Sequence, residues 1–220
     1  MKKLARGLLI LLMVFVISNT VTAEDNRVEI FTDSTKGDSY TVCVSLALEN
    51  SQDSRSHFAK KMQTIYDQHN LQLTYTDEGK FWQLPHLTLV MFEKVKLENI
   101  KAFEGLFDHL EGTRLEFTPK TYNFLGRGDQ LVTMPTPSLT EEAKKLNSDI
   151  MAWVKENIEQ SHYRISRNTL LQNFKPHLSL NTDVYDKRGQ GRIRRILGLS
   201  LNSTVIKLDH ISITCTNEWS

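Results

Sequence analysis

The sequence predicts an α+β fold, and three observations carry that prediction. Strand-like and helix-like segments follow one another irregularly, in the order strand, helix, strand, helix, strand, strand, helix, strand, strand, and not as a regular βαβ series. The composition of the 220 residues, 40% hydrophobic and 24% charged with 10 Gly, 5 Pro and 2 Cys, is that of a chain able to build an ordinary core. One pentapeptide occurs twice. Pro85-His86-Leu87-Thr88-Leu89 and Pro176-His177-Leu178-Ser179-Leu180 agree at four of five positions, and the fifth exchanges one hydroxyl residue for another. The copies stand 91 residues apart, each in a strand-like segment, which suggests two lobes related by duplication.

Residues 1–23 read as a cleaved secretory signal. Lys2, Lys3 and Arg6 form a positive start, Leu8 to Ile17 is unbroken apolar sequence, and Val21-Thr22-Ala23 offers short side chains for a signal peptidase. Ser18, Asn19 and Thr20 end the apolar run well short of the roughly 20 residues a spanning helix needs. The expected location is therefore secreted or periplasmic, with no stable membrane insertion after cleavage. Residues 24–39 are polar, with Thr32 to Asp38 rich in turn formers, and read as a linker or irregular extension. Residues 40–220 are read as one domain, and the protein as a monomer.

Within that domain Tyr40 to Leu48 is a strand rich in Val, Thr and Leu. Asp53 to His69 is helical, with Phe58, Met62, Ile65 and Tyr66 recurring at three and four. Gln83 to Phe92 is a strand, and Leu97 to Leu110 returns to helical spacing. Arg114 to Phe124 and Gln130 to Met134 read as two strands joined by a turn at Gly126 to Asp129. Pro135 and Pro137 stop the second, and Ser138 or Thr140 begins a helix running to Ile158. Lys175 to Asn181 and Val205 to Thr216 are the last strands, and Lys187 to Leu197, between them, is basic and of undecided form. Cys43 and Cys215 are either a pair closing nearly the whole domain or two separately buried strand thiols.

With 27 basic against 26 acidic residues, general electrostatic coating of nucleic acid is not expected, although a local basic groove is compatible with that balance. A lone His-x-Ser/Thr is weak, since 7 histidines in this composition give about one by chance. A third copy, His210-Ile211-Ser212, lacks the preceding proline and a symmetric partner and reads as a structural strand histidine. The duplicated pentapeptide is far more specific. In a strand, a histidine and the hydroxyl two residues on share one face, about 6.6 Å apart, while the leucines go to the other.

Two imidazoles and two hydroxyls brought to one place suit a phosphate. A histidine has an unperturbed pKa of about 6.5, so near neutrality one ring can accept a proton while another donates. Thr88 and Ser179 would hydrogen-bond the non-bridging oxygens. A metal site is the competing reading, but neither motif carries a nearby third ligand, and the expectation is no metal and no cofactor. Gly-x-Ser-x-Gly, His-Glu-x-x-His and a phosphate-cradling Gly-rich loop are absent from the sequence.

The paired His86-Leu87-Thr88-Leu89 and His177-Leu178-Ser179-Leu180, about 90 residues apart in hydrophobic strands, resemble the signature of the two-histidine (2H) phosphoesterase superfamily, which includes 2′-5′ RNA ligase-like proteins and cyclic phosphodiesterases. The resemblance covers roughly Tyr40 to Thr216. It implies a bilobal fold of two pseudo-symmetric antiparallel sheet lobes, flanked by helices, with the active groove between them. It implies metal-independent action on 2′,3′-cyclic phosphates or 2′,5′-linked nucleotides, with a nucleotide or RNA end as substrate. It makes His86 and His177 catalytic and Thr88 and Ser179 phosphate contacts. The alternatives are a non-catalytic nucleotide-binding module using the same groove, or a ligase.

Tyr122, Phe124 and Lys175 are further candidates for substrate contact, the rings by stacking on a base and the lysine by meeting phosphate; core packing and solvation are the competing readings. Phe81 and Trp82 are weaker stacking candidates. Arg188, Arg192, Arg194 and Arg195 suit either an RNA backbone or a solvated helix face.

Overall fold

A computed structural model describes residues 28–31, 39–48, 52–70, 85–125, 130–181 and 190–217. The expected signal peptide, the turn at 126–129 and the pair Phe81 and Trp82 lie outside them. The elements are β1 (Glu29–Phe31), β2 (Ser39–Leu48), α1 (Gln52–Gln68), β3 (His86–Lys96), a 3₁₀ segment (Leu97–Glu104) running into α2 (Gly105–His109), β4 (Leu115–Phe117), β5 (Thr121–Leu125), β6 (Gln130–Met134), α3 (Pro137–Asn157), β7 (Arg164–Ile165), β8 (Leu178–Asn181), α4 (Gln190–Leu201) and β9 (Ile206–Asn217). This is an α+β architecture: one sheet, ordered β1-β9-β2-β3-β8-β6-β5, antiparallel at every junction except the parallel pair β1 and β9. Short β4 and β7 pair with β9 and β3 off that path.

The alternation of β2 shows how the sheet divides its faces. Tyr40, Val42, Val44, Leu46 and Leu48 are all buried in the hydrophobic cluster. Thr41, Cys43, Ser45 and Ala47 take the other face, as a period of two requires. In β9, Ile211 and Ile213 stand opposite Leu46 and Val44 on the apolar face, so His210, Ser212, Thr214 and Thr216 share the polar one. Helix α3 packs on β3. Its buried stripe of Leu139, Ala143, Ile150 and Val154 is interrupted by Asn147, whose Nδ2 donates to Leu89 O at 2.7 Å and Thr169 O at 2.9 Å. Gly105 opens α2 where the Trp153 ring of α3 approaches to 2.8 Å from the position of a β-carbon, leaving no room for a side chain.

Several elements differ from the sequence reading. The stretch read as one strand from Arg114 is two, β4 and β5, with different partners. Pro119 lies between them, and it has no N–H to give a ladder. β3 runs four residues beyond Phe92, past Lys94, whose positive φ of 58° marks an irregularity in the β2–β3 register. The helix after Pro135 begins at Pro137 itself: Thr136 is the cap, its Oγ1 accepting from Leu139 N, and a proline in the first turn loses no hydrogen bond. The basic stretch of undecided form lies largely in α4, where Ile193, Ile196, Leu197 and Leu201 are buried at helical spacing. Within the supposedly irregular extension, Glu29–Phe31 pairs with Thr214 to Thr216.

The two cysteines are free thiols. Val42 stands opposite Cys215 and Cys43 opposite Thr214, so the two sulfurs leave opposite faces of the sheet. No bridge can span that arrangement. Burial pushes both thiols up, Cys215 to about 12, and burial outweighs the hydrogen bonds to Ser45 and Thr88 that act the other way on Cys43.

Candidate active site

The two pentapeptides meet as neighbouring antiparallel strands. In the β3–β8 ladder His86 stands opposite Ser179 and Leu87 opposite Leu178. Residues directly opposed in a ladder point to the same face, so His86 and Ser179 share one face while Leu87 and Leu178 share the other. Continuing the register by one residue brings His177, just before β8, against Thr88. On that continuation the pairing would be reciprocal, the histidine of each copy against the hydroxyl of the other. His86 and His177 become diagonal neighbours, a relation that separates side-chain roots by about 7–8 Å.

The leucines explain why the strands lie this way up. Leu87, Leu89, Leu178 and Leu180 are each at most 1% exposed, and a register slip of one residue would exchange them for the histidines and hydroxyls. On the polar face His86 keeps 7% of its surface and Ser179 3%, while Thr88 and His177 are half-buried. Thr88 stands opposite Ser45, and Cys43 Sγ lies 3.8 Å from Thr88 Oγ1 and 3.4 Å from Ser45 Oγ. The loop before His177 positions its ring: Nδ1 is 2.9 Å from the carbonyl oxygen of Lys175. A carbonyl only accepts, so Nδ1 carries a hydrogen, and in the neutral ring Nε2 is then the basic nitrogen.

The other candidates fall differently. Tyr122 stands opposite Thr133, which stands opposite Leu178, so its ring joins the apolar face and is 5% exposed. Core packing, the competing reading for this residue, fits that place, which the parity of β5 sets through its pairing with β6. The buried Tyr122 hydroxyl has no hydrogen-bond partner among the described residues, and desolvation pushes its pKa up. Phe124 pairs through its backbone with Leu131, and its side chain lies outside the described residues. The Lys175 side chain is exposed, and its defined contact with the site is its main-chain carbonyl. Arg192 donates to the carbonyl of His69, tethering α4 to the end of α1, and Arg194 and Arg195 are exposed.

Residues without an assigned role in the sequence reading join the polar face. Asn123 stands opposite Val132, which stands opposite Ser179. Ala47 stands opposite His86 on one side and His210 on the other. Asn147 fastens the Leu89 carbonyl within the first motif to α3. The signal for Asn147 was present as a polar residue where the helical spacing calls for an apolar one. Among the described residues no three His, Cys, Asp or Glu side chains form a metal-ligand cluster, and no helix is long and apolar enough to cross a membrane.

No protein-family model matches the chain, and no curated protein matches it. Among solved structures it is similar to Kluyveromyces marxianus Usb1, at 13% identity and a TM-score of 0.40 over 84% of this chain and 100% of that one. It is also similar to the same protein with uridine monophosphate, at 13% identity and a TM-score of 0.38 over 78% and 97% of the two chains. A likeness this distant says nothing of the chemistry at the polar face.

Proposed function

We propose that this chain is a phosphodiesterase of the two-histidine type, opening 2′,3′-cyclic phosphates or cleaving 2′,5′-linked nucleotides by general acid–base catalysis without a metal. The observation that carries the reading is the antiparallel pairing of the two pentapeptides, with His86 against Ser179 and Leu87 against Leu178 across one ladder. In the reaction, water attacks phosphorus while one imidazole takes its proton. The bond from phosphorus to the departing ribose oxygen breaks, and the second imidazole protonates that oxygen. His177 is assigned the base role, because its Nδ1–H is engaged by the Lys175 carbonyl and its Nε2 is the acceptor. His86 is then the acid. Thr88 and Ser179 donate to the non-bridging oxygens as charge builds on them.

The two sides of the β3–β8 junction, β9-β2-β3 and β8-β6-β5, are read as the two lobes of the groove. The reading of 1–23 as a leader supports an exported compartment; 24–39 is read as an extension, of which Glu29–Phe31 joins the sheet, and the catalytic domain as running from residue 40. The test is a panel of 2′,3′-cyclic and 2′,5′-linked nucleotides assayed with EDTA, product regiochemistry being read by phosphorus NMR. Turnover in chelator is expected, with kcat lowered about 10²–10⁴-fold in His86→Ala and His177→Ala while both variants keep the wild-type circular dichroism. Binding without product from any compound, or normal rates in both folded variants, overturns the reading.

A further inference from the structure

The third His-x-Ser copy lies on the same face as the first two and repeats the first by translation. β2 is antiparallel to both β3 and β9, so β9 runs in the direction of β3. His86, Ala47 and His210 form one row across three strands, and Thr88, Ser45 and Ser212 form the next. The His210–Ser212 pair therefore copies the His86–Thr88 pair, displaced by two strand spacings, about 9–10 Å. In the sheet the residue between the two histidines is Ala47, whose buried side chain is a single methyl group. The burial pattern distinguishes this strand face from a merely solvated one: Ser212 is 6% exposed and His210 half-buried, with Ile211 and Ile213 turned to the apolar side. A register irregularity at Asp209 sets the phase that brings His210 onto the polar face, and Asp209 itself is exposed.

We infer that His210 and Ser212 form a second phosphate subsite, which takes a phosphate of the substrate other than the one cleaved. An imidazole and a hydroxyl at the same spacing offer an oxyanion the same donors as the first pair, and charge-assisted hydrogen bonds of this kind are the strong ones. Ser45, in the row between Thr88 and Ser212, carries a hydroxyl on the same face but is fully buried there, its Oγ 3.4 Å from Cys43 Sγ. The protein accordingly prefers a substrate with two phosphates to a cyclic mononucleoside phosphate. The second phosphate is either a terminal 5′-phosphate or an internucleotide phosphodiester.

The inference rests on the phosphodiesterase reading, and the experiment separates their failures. Three compounds are compared: a nucleoside 2′,3′-cyclic phosphate, the same compound carrying a 5′-phosphate, and a dinucleotide ending in the cyclic phosphate. The wild type should favour one or both doubly phosphorylated compounds in kcat/KM, and His210→Ala should reduce that preference about tenfold. His210→Gln, which keeps the bulk of the side chain, should do the same if the alanine variant folds poorly. The compound whose advantage is lost identifies the source of the second phosphate. The three are also titrated by calorimetry into His86→Ala/His177→Ala, with and without His210→Gln. Selective loss of affinity for the doubly phosphorylated compounds supports the subsite even where the wild type turns over nothing. An unchanged preference in rate and in affinity overturns it.

Discussion

His86 opens an eleven-residue strand that has hydrogen-bonded neighbours on both sides, and the residue before it, Pro85, accepts from Leu48 N at 2.9 Å. His177 stands one residue before a four-residue strand, half-buried, with its ring directed by one hydrogen bond to the Lys175 carbonyl. Two nearly identical pentapeptides are thus held in different ways. The first is set by the sheet and clamped from behind by Asn147, and the second is set by the loop that leads into it. Nearly identical local sequence gives the same pattern of faces in both places, but the rigidity of each histidine comes from what holds its strand. On the proposed assignment, a fixed acid beside a base on a short tether would be a workable division, since the base would have to meet a water whose place depends on the substrate.

The contrast can be broken by stability measurements. Leu89→Ala and Leu180→Ala delete comparable buried side chains from the apolar backs of the two copies. Both should destabilise within the range of about 2–5 kcal/mol found for buried leucines, with Leu89→Ala at the upper end, because the long strand and the Asn147 clamp prevent collapse around the gap. Urea denaturation monitored by circular dichroism measures both, and a larger loss for Leu180→Ala would contradict the unequal anchoring. A smaller effect sharpens the comparison on the second copy. Lys175→Ala keeps the main-chain carbonyl that directs His177, so kcat/KM should fall by less than about fivefold, the size of an exposed charge contact. A loss approaching that of His177→Ala would show that the Lys175 side chain acts on the substrate.

Much of this arrangement is legible in the residues. The period-two alternation of Pro85 to Leu89 and Pro176 to Leu180 dictates that histidine and hydroxyl share a face and that the leucines are buried, and the structure has both. The strand at Tyr40, the helix ending near Gln68 and the long helix before Asn157 follow from patterning alone. Pairing partners do not. The motifs are 91 residues apart, and whether they face each other across a cleft or lie side by side in one sheet depends on contacts that no local pattern encodes. Tyr122 illustrates the same limit: its strand is readable, but its face depends on which strand pairs with β5 and in what register. His210 has no symmetric partner in the sequence, whereas its relation to His86 in the sheet is translational, through β2. Pro119, by contrast, was a readable break between β4 and β5, its effect masked by the apolar residues on either side.

The central claim is that His86 and His177 address the same phosphate. Histidine ring resonances assigned by substitution and followed by NMR during titration with inorganic phosphate test it most directly. The account predicts that both rings shift together, with one common dissociation constant, and that removing either ring weakens the response of the other. A response confined to one ring, or two rings titrating with unrelated constants, would contradict it.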